Sequence, residues 1–402
     1  MKQNIAVTAI TAICLLIIYT AASMFLKPSE NERNKTLKVG FVYDSDESTP
    51  YSYNFIRAQR EAEQLFNGRI ETFVRNNVPE YDCDDAINSL VDAGCSLIFT
   101  NSYGFGETTK RIAAENSGIQ FCSATCDNAN TEPVLSNYHT FMGEIYEGRY
   151  VLGAAAGLKL QELINTQAIK PSQAKIGYVG AYPYPEVISG YTAFLLGARK
   201  YCPSATMEVA YTNTWCNYAL EKKCAEDLIN NGCVIISQHS DTIGPAVACE
   251  EASISKTVFH VGYNHSMADI APTTSIIAAR INWIPYITGA IKAVLENRSI
   301  ERVVKGHVHG NDIGAGIANN WVQVLECNIS CAAPKTEAEI KRIESNFIKG
   351  RQKVFYGNYI GVNPFDPEDT YDLSSGYIEN KNASAPSFHY ILKDVINILE
   401  FQ

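Results

Sequence analysis

The chain has 402 residues, a formal net charge of -10, 46% hydrophobic and 19% charged residues. That length holds two or three domains with well-buried cores, and the balance is neither that of a disordered chain nor that of a fibre. The acidic surplus argues against a nucleic-acid partner, whose binding rests on Lys and Arg against phosphates.

Ile5–Leu26 is an uncharged run with Lys2 ahead of it and Lys27-Pro28 behind. It is long enough to span a bilayer as an anchor, and Thr20-Ala21-Ala22 equally offers a cleavage point for a secretory signal. A lipoprotein site at Cys14 fits less well, because Thr11-Ala12-Ile13 lacks a small residue next to the cysteine. Each reading places the remainder outside the cytoplasm, with residues 27–36 as a short polar tether.

From Leu37 onward the sequence runs through one pattern twice. Lys38-Val39-Gly40-Phe41-Val42 precedes a turn-rich stretch and a helical pattern at Tyr53–Phe66. About 137 residues later, Lys175-Ile176-Gly177-Tyr178-Val179 precedes Tyr182-Pro183-Tyr184-Pro185 and a helical pattern at Val187–Lys200. Gly94-Cys95-Ser96-Leu97-Ile98-Phe99 likewise answers to Gly232-Cys233-Val234-Ile235-Ile236-Ser237. Each copy alternates strand and helix, which is the signature of a parallel sheet covered by helices. The predicted fold is α/β, with two Rossmann-like lobes joined by a hinge, in the manner of type I periplasmic binding proteins.

Lobe 1 is expected over 37–145 with about 283–305, and lobe 2 over 146–282 with about 306–330. Trp283–Asn297 reads as an amphipathic helix returning to the first lobe. Residues 331–402 read as an extension packing on the lobes, with a helix at Thr336–Ile348, a strand at Val354–Tyr359 and a final helix at His389–Leu399. Setting Cys14 aside leaves 11 cysteines. Cys122 with Cys126 and Cys327 with Cys331 are spaced for local pairing, but many cysteines sit where small buried hydrophobes belong. No metal site is expected, because no second cysteine pair or set of histidines stands at ligand spacing.

In such sheets a ligand lies beyond the carboxyl ends of the strands. That rule nominates Asp44, Asn101-Ser102, Asp127, Asp241 and Asn264. The segments KVGFVYD, PYSYNFIRA, FTNSYGFGE, YEGRYVLGAAAGL, KIGYVGAYPYPEVISGYTAFLLGARKYCP, NTWCN, LINNGCVIISQHSDT, VGYNHSM and INWIPY, in that order, resemble the basic membrane protein family. Those proteins are substrate-binding subunits of ABC importers for purine nucleosides and bases. The resemblance implies a purine ligand, an ABC permease as partner, no cofactor and no catalysis.

It also implies roles for particular residues. Asp44 would accept hydrogen bonds from a purine N–H, and Tyr53 and Trp215 would stack on its faces, with Tyr51 or Asn54 as alternatives to Tyr53. Ser102, His239 and Asp241 would line the cleft, with His239 as a supporting hydrogen bonder. Asn264 stands where many members carry a ribose-binding aspartate, which favours a base over a nucleoside. Arg280 or Asn282 falls near a lysine of the family. Two rivals remain at this stage: a metal-dependent nucleoside hydrolase built on Asp44, Asp46 and Glu47, and a membrane-anchored sensor. The second repeat supplies no convergent acid or histidine cluster for the hydrolase.

Overall fold

A computed structural model describes residues 36–399 except residue 380. The first lobe is built from β1 (Leu37–Val42), α1 (Pro50–Leu65), β2 (Ile70–Arg75), α2 (Asp84–Asp92), β3 (Leu97–Thr100), α3 (Gly106–Glu115), β4 (Gln120–Ala124) and β5 (Tyr138–Gly143). Helix α4 (Ile145–Asn165) leads into the second lobe. That lobe holds β6 (Lys175–Gly180), α5 (Pro185–Arg199), β7 (Thr206–Tyr211), α6 (Tyr218–Asn230), β8 (Ile235–His239), α7 (Gly244–Ala252), β9 (Phe259–Tyr263) and β10 (Ser275–Ile281). The strands β3, β5 and β8 are buried along their whole length, as parallel strands covered on both faces require. Pro50 and Pro185 open α1 and α5, where a missing N–H is harmless and the fixed φ is already helical.

The chain then returns to the first lobe as α8 (Ile284–Leu295), whose leading Trp283 stacks on Phe55 of α1 with ring centroids 4.4 Å apart. After α9 (Ile300–Val303) come β11 (His307–His309), β12 (Asp312–Ala315) and β13 (Val322–Val324). The first sheet has the order β11-β12-β5-β4-β3-β1-β2. Residues 307–315 thus extend the first sheet, a correction to the expectation that 306–330 belongs to the second lobe. β12 pairs in parallel with β5, whose edge β4 leaves open. Only β13, antiparallel to β10, joins the second sheet.

The C-terminal region continues with α10 (Thr336–Ile348), β14 (Ile360–Asn363), β15 (Asp366–Asp372), β16 (Ile391–Leu392) and β17 (Ile396–Leu399). The second sheet has the order β13-β10-β9-β8-β6-β7-β17, and a small third sheet the order β15-β14-β16. Two expectations are corrected. Val354–Tyr359 is irregular and the strand starts at Ile360, while the expected helix at 389–399 is a pair of short strands. Val395, Ile396 and Ile398 are β-branched, and the open edge of β7 supplies their partners, register Ile396 opposite Met207. The region touches both lobes. Asp312 of β12 accepts from the Ser384 backbone N–H (2.5 Å) and hydroxyl (2.6 Å), and Thr192 of α5 donates to the Tyr390 carbonyl at 3.0 Å.

Three crossings lie side by side between the lobes. The Glu144 N–H donates to the Ala315 carbonyl at 2.9 Å, and the Asn282 N–H to the Trp321 carbonyl at 2.6 Å. Beside them, Glu144 bonds His307 Nδ1 at 2.6 Å, and Glu147 accepts from the Ile317 N–H at 2.7 Å. Burial, reinforced by the neighbouring Glu144 charge, pushes the Glu147 carboxyl up to about 8. All eleven cysteines among the described residues are free thiols, so neither spaced pair is bridged.

Two predictions follow from this packing. A Cβ on Gly153 of α4 would lie 1.8 Å from the Phe194 carbonyl oxygen of α5, and backbone cannot step aside as a side chain can. Gly153→Val should therefore cost about 3 kcal/mol or more in urea unfolding; a loss under roughly 1 kcal/mol would mean the helices do not touch there. Glu147 is protonated in the fold near neutrality while its unfolded counterpart is ionised. Its contribution is thus fully present below about pH 4.5 and lost as pH rises toward about 8. Glu147→Gln should flatten that decline in melting temperature, and an unchanged pH profile would refute the assignment.

Candidate functional site

The carboxyl ends of β1, β3, β6 and β8 face one another across the gap between the lobes. Beyond them lies a cavity of about 30 Å³ lined by Asp44, Tyr51, Ser102, Tyr103, Thr125, Glu186, Trp215, His239, Asp241 and Tyr263. This is far below the roughly 300–1,000 Å³ of small-molecule pockets, so the lobes stand close together over it. A larger groove of about 950 Å³ opens near Thr36, Ser96, Gln120 and Glu301. It lies at the amino ends of the strands, opposite the side where such sheets bind, and the small cavity is the better candidate.

The first lobe contributes a fixed carboxyl. Asp44 follows β1 directly, and its Oδ1 accepts from the Ser52 hydroxyl at 2.7 Å and Asn101 Nδ2 at 2.8 Å. Asn101 in turn accepts from the Asp44 N–H at 2.9 Å. Burial pushes the Asp44 carboxyl up, and these hydrogen bonds oppose the shift. Tyr51 reaches the Asn101 carbonyl at 2.5 Å, and Ser102 donates to Glu80.

The second lobe contributes Trp215, His239, Asp241 and Glu186. Trp215 is only partly buried and packs against Tyr182 and Tyr184, with centroids 5.5 and 6.2 Å away. Its carbonyl receives the Asp241 N–H at 2.9 Å, which ties the aromatic loop to the end of β8. Burial pushes the Asp241 carboxyl well up, and the charges of Asp44, Glu221 and Glu186 add to the shift. Behind the cavity, the fully buried Arg149 lies 3.8 Å from the Tyr263 ring centroid and donates to the Gln238 carbonyl at 2.6 Å. Burial, then the Arg149 charge, hold His239 down at about 4, so it is neutral at physiological pH.

Six of the residues named from sequence therefore meet at the cavity: Asp44, Tyr51 (the alternative to Tyr53), Ser102, Trp215, His239 and Asp241. Asn264 and Asn54 instead bridge the lobes beside it. Asn54 Nδ2 donates to the Asn264 carbonyl at 3.0 Å, and Asn264 Nδ2 donates to Asp241 at 3.2 Å. Asn264 sits in the left-handed region, φ 64°, which asparagine tolerates.

Tyr53 is not a lining residue. Two positions along a helix are about 200° apart, so Tyr51 faces the cavity while Tyr53 meets His265 edge-on at 6.0 Å. Arg280 lies outside the cleft, bonded to Gln323 at 2.9 Å on the β10–β13 edge. Asn282 belongs to the crossings, taking Arg57 at 2.8 Å and donating to the Asn320 carbonyl.

The sequence reading missed Tyr103, Thr125, Tyr263 and Glu186. For Tyr263 the strand-end rule was available, since it closes β9 next to Asn264. Glu186 gave a weaker signal, an acid in the first turn of a Pro-led helix, which reads as an ordinary helix-start residue. The carboxylates of the hydrolase reading diverge. Asp46 accepts from the Ser48 N–H and Asn77, and Glu47 pairs with Arg60 at 2.6 Å, while Asp44 turns into the cleft. Among the described residues no group of three His, Cys, Asp or Glu is placed to hold a metal ion.

Comparison with known proteins places this geometry in a family. Residues 36–349 match the Bmp family model, described as ABC transporter substrate-binding protein PnrA-like. The chain belongs to the Bmp family. It is 29% identical to a purine-binding protein of Brucella abortus, over 83% of this chain and 89% of that one. It is 24% identical to a Haloferax volcanii protein named as a candidate ABC transporter glucose-binding protein, over 90% of this chain and 83% of that one. A solute-binding protein of an ABC transporter system from Aeropyrum pernix superposes with a TM-score of 0.63 at 14% identity, covering 78% of this chain and 92% of its own. This Bmp protein therefore has the two-lobed α/β fold of periplasmic solute-binding proteins, and its family captures ligands for ABC transporters. The apolar run Ile5–Leu26 lies outside the described residues, and no described helix is long and apolar enough to cross a membrane.

The depressed His239 titration has a direct check. Its ring C–H resonance in NMR should stay constant from pH 8 to 5.5 and move only near about 4. A midpoint near the ordinary value of 6.5 would show the ring to be solvated.

Proposed function

We propose that this Bmp protein captures a purine base or nucleoside outside the cytoplasm by lobe closure and presents it to an ABC permease. The observation that carries the reading is the cavity's composition: three carboxyl groups set among four aromatic rings, between two lobes. Flat heterocycles are held by stacking on aromatic faces, and their ring N–H and amino groups need acceptors. The Brucella abortus relative, a purine-binding protein by name, supports the same ligand class.

A base is favoured over its riboside. Asn264, at the position where the family resemblance leads one to expect a ribose-binding acid, already spends its side-chain amide on Asp241 and its backbone carbonyl on Asn54. Ribose hydroxyls would find no free carboxylate at that position. Glucose deserves a parallel measurement because of the Haloferax volcanii relative, but partly exposed Trp215 and Tyr103 suit an aromatic ring at least as well as a sugar.

Calorimetry across adenine, guanine, hypoxanthine, their ribosides and glucose tests the reading. Purine bases should bind at least as well as their ribosides, and absence of all purine binding would end it. Base–aromatic stacking is worth about 1–3 kcal/mol, so Trp215→Ala should weaken binding roughly ten- to a hundredfold. Because the ring is only partly buried, the ligand-free melting temperature should fall little. Near-normal affinity combined with a large loss of stability would assign Trp215 to packing.

A further inference from the structure

Glu186 stands in the first turn of α5, its side chain one-fifth exposed, and lines the cavity from the second lobe. Its Oε1 lies 3.3 Å from Nε2 of His239, whose side chain is 1% exposed. The other ring nitrogen, Nδ1, has no partner and faces the backbone of Gly190, where a Cβ would lie 2.8 Å away. The proton of this neutral ring therefore sits on Nε2, the only nitrogen with an acceptor, and the ring donates to Glu186. One carboxyl oxygen of Glu186 is thereby taken.

The second oxygen, Oε2, receives no hydrogen bond from any described residue. Three donors elsewhere on the cavity wall are already committed. Tyr51 donates to the Asn101 carbonyl, Ser102 to Glu80 and Thr125 to the Ala124 carbonyl. Asp241, 8% exposed, lines the same cavity with Oδ1 bonded to Asn264 and with no described donor on Oδ2. The wall thus holds two carboxyl oxygens without a described donor, beside the Tyr103 and Tyr263 hydroxyls and the Trp215 indole N–H, which have no described acceptor. Arg149, packed behind it, is turned to the Gln238 carbonyl and the Tyr263 face, with its Nε and Nη2 unpartnered among the described residues.

We infer that Glu186 is a ligand-contacting, specificity-determining residue: His239 clamps one carboxyl oxygen, and the other accepts an N–H of the bound heterocycle. The inference rests on the purine reading above and adds a selection rule to it. Ligands offering an N–H toward the second lobe are retained, and the same ring methylated at that nitrogen is rejected. His239 is the positioning residue, since its single donor decides which oxygen is left for the ligand.

Glu186→Gln separates this role from packing. The His239 N–H still requires an oxygen, so the glutamine turns its NH2 toward the cavity and opposes the ligand's N–H with another donor. Titration of wild type and E186Q with hypoxanthine and its 1-, 7- and 9-methyl derivatives, followed by Trp215 fluorescence, gives the readout. Hydrogen bonds to charged groups contribute enough that E186Q should bind hypoxanthine roughly ten- to a hundredfold more weakly. In the wild type, methylation at one nitrogen should cost a similar factor, and in E186Q the same methylation should cost much less. Ligand-free melting of E186Q, with Glu186→Ala as a second variant lacking the misplaced donor, confirms that the fold is intact. Equal methylation profiles in wild type and E186Q overturn this assignment while leaving purine binding standing. A wild-type chain that binds no purine overturns both.

Discussion

Three strands of backbone held against one another between the sheets govern the rest of this molecule. Gly143-Glu144, Ile281-Asn282 and Ala315-Gly316 cross from lobe to lobe in contact, joined by the bonds from Glu144 to Ala315 and from Asn282 to Trp321. Their contact demands small residues. A Cβ at Gly143 would meet Ile281 at 2.5 Å, and one at Gly316 would meet Glu147 at 2.1 Å. With the crossings pinned at one side, the lobe closure proposed above would act at the other, where the cavity lies. Hinges of this kind absorb their motion in a few residues and leave the lobes rigid.

The C-terminal region adds a constraint that the family match, ending at residue 349, does not cover. Ser384 binds Asp312 in the first sheet while β17 completes the edge of the second, so one segment is fastened to both lobes. Between these ends Phe355, Phe388, Tyr377 and Tyr390 form an aromatic cluster, and Phe355 also contacts Tyr146 of α4 with centroids 5.6 Å apart. Edge pairing by β17 also covers a row of backbone groups on β7 that would otherwise be open to another strand.

His239 is held uncharged by burial, and burial raises the Asp44 and Asp241 carboxyls beside it. Selectivity in such a cavity comes from buried polar atoms that only the right edge pattern satisfies, because an unmatched one costs more than a matched one gains. The aromatic rim, with Tyr103 of one lobe 6.3 Å from Tyr184 of the other, closes the entrance.

The repeated alternation of strand and helix, the strand-end positions of Asp44, Ser102 and Asp241, and the polar approach to Trp215 were legible in the amino-acid order. Hydrophobic period and chain position carry that information locally, and the ordered family segments reinforce it. Other features depended on which surfaces meet. β-Branched residues at 395–398 are compatible with either a helix or a strand until the free edge of β7 settles the matter. Residues 307–315 could extend either sheet until the edge of β5 claims them. Tyr51 replaces Tyr53 because helix rotation is fixed by what α1 packs against. Arg280 leaves the cleft because alternate residues of β10 face opposite sides. Glu186 reads from sequence as a helix-start acid, and only the fold brings His239 and the cavity to it, since their chain separation hides a contact made entirely by tertiary packing.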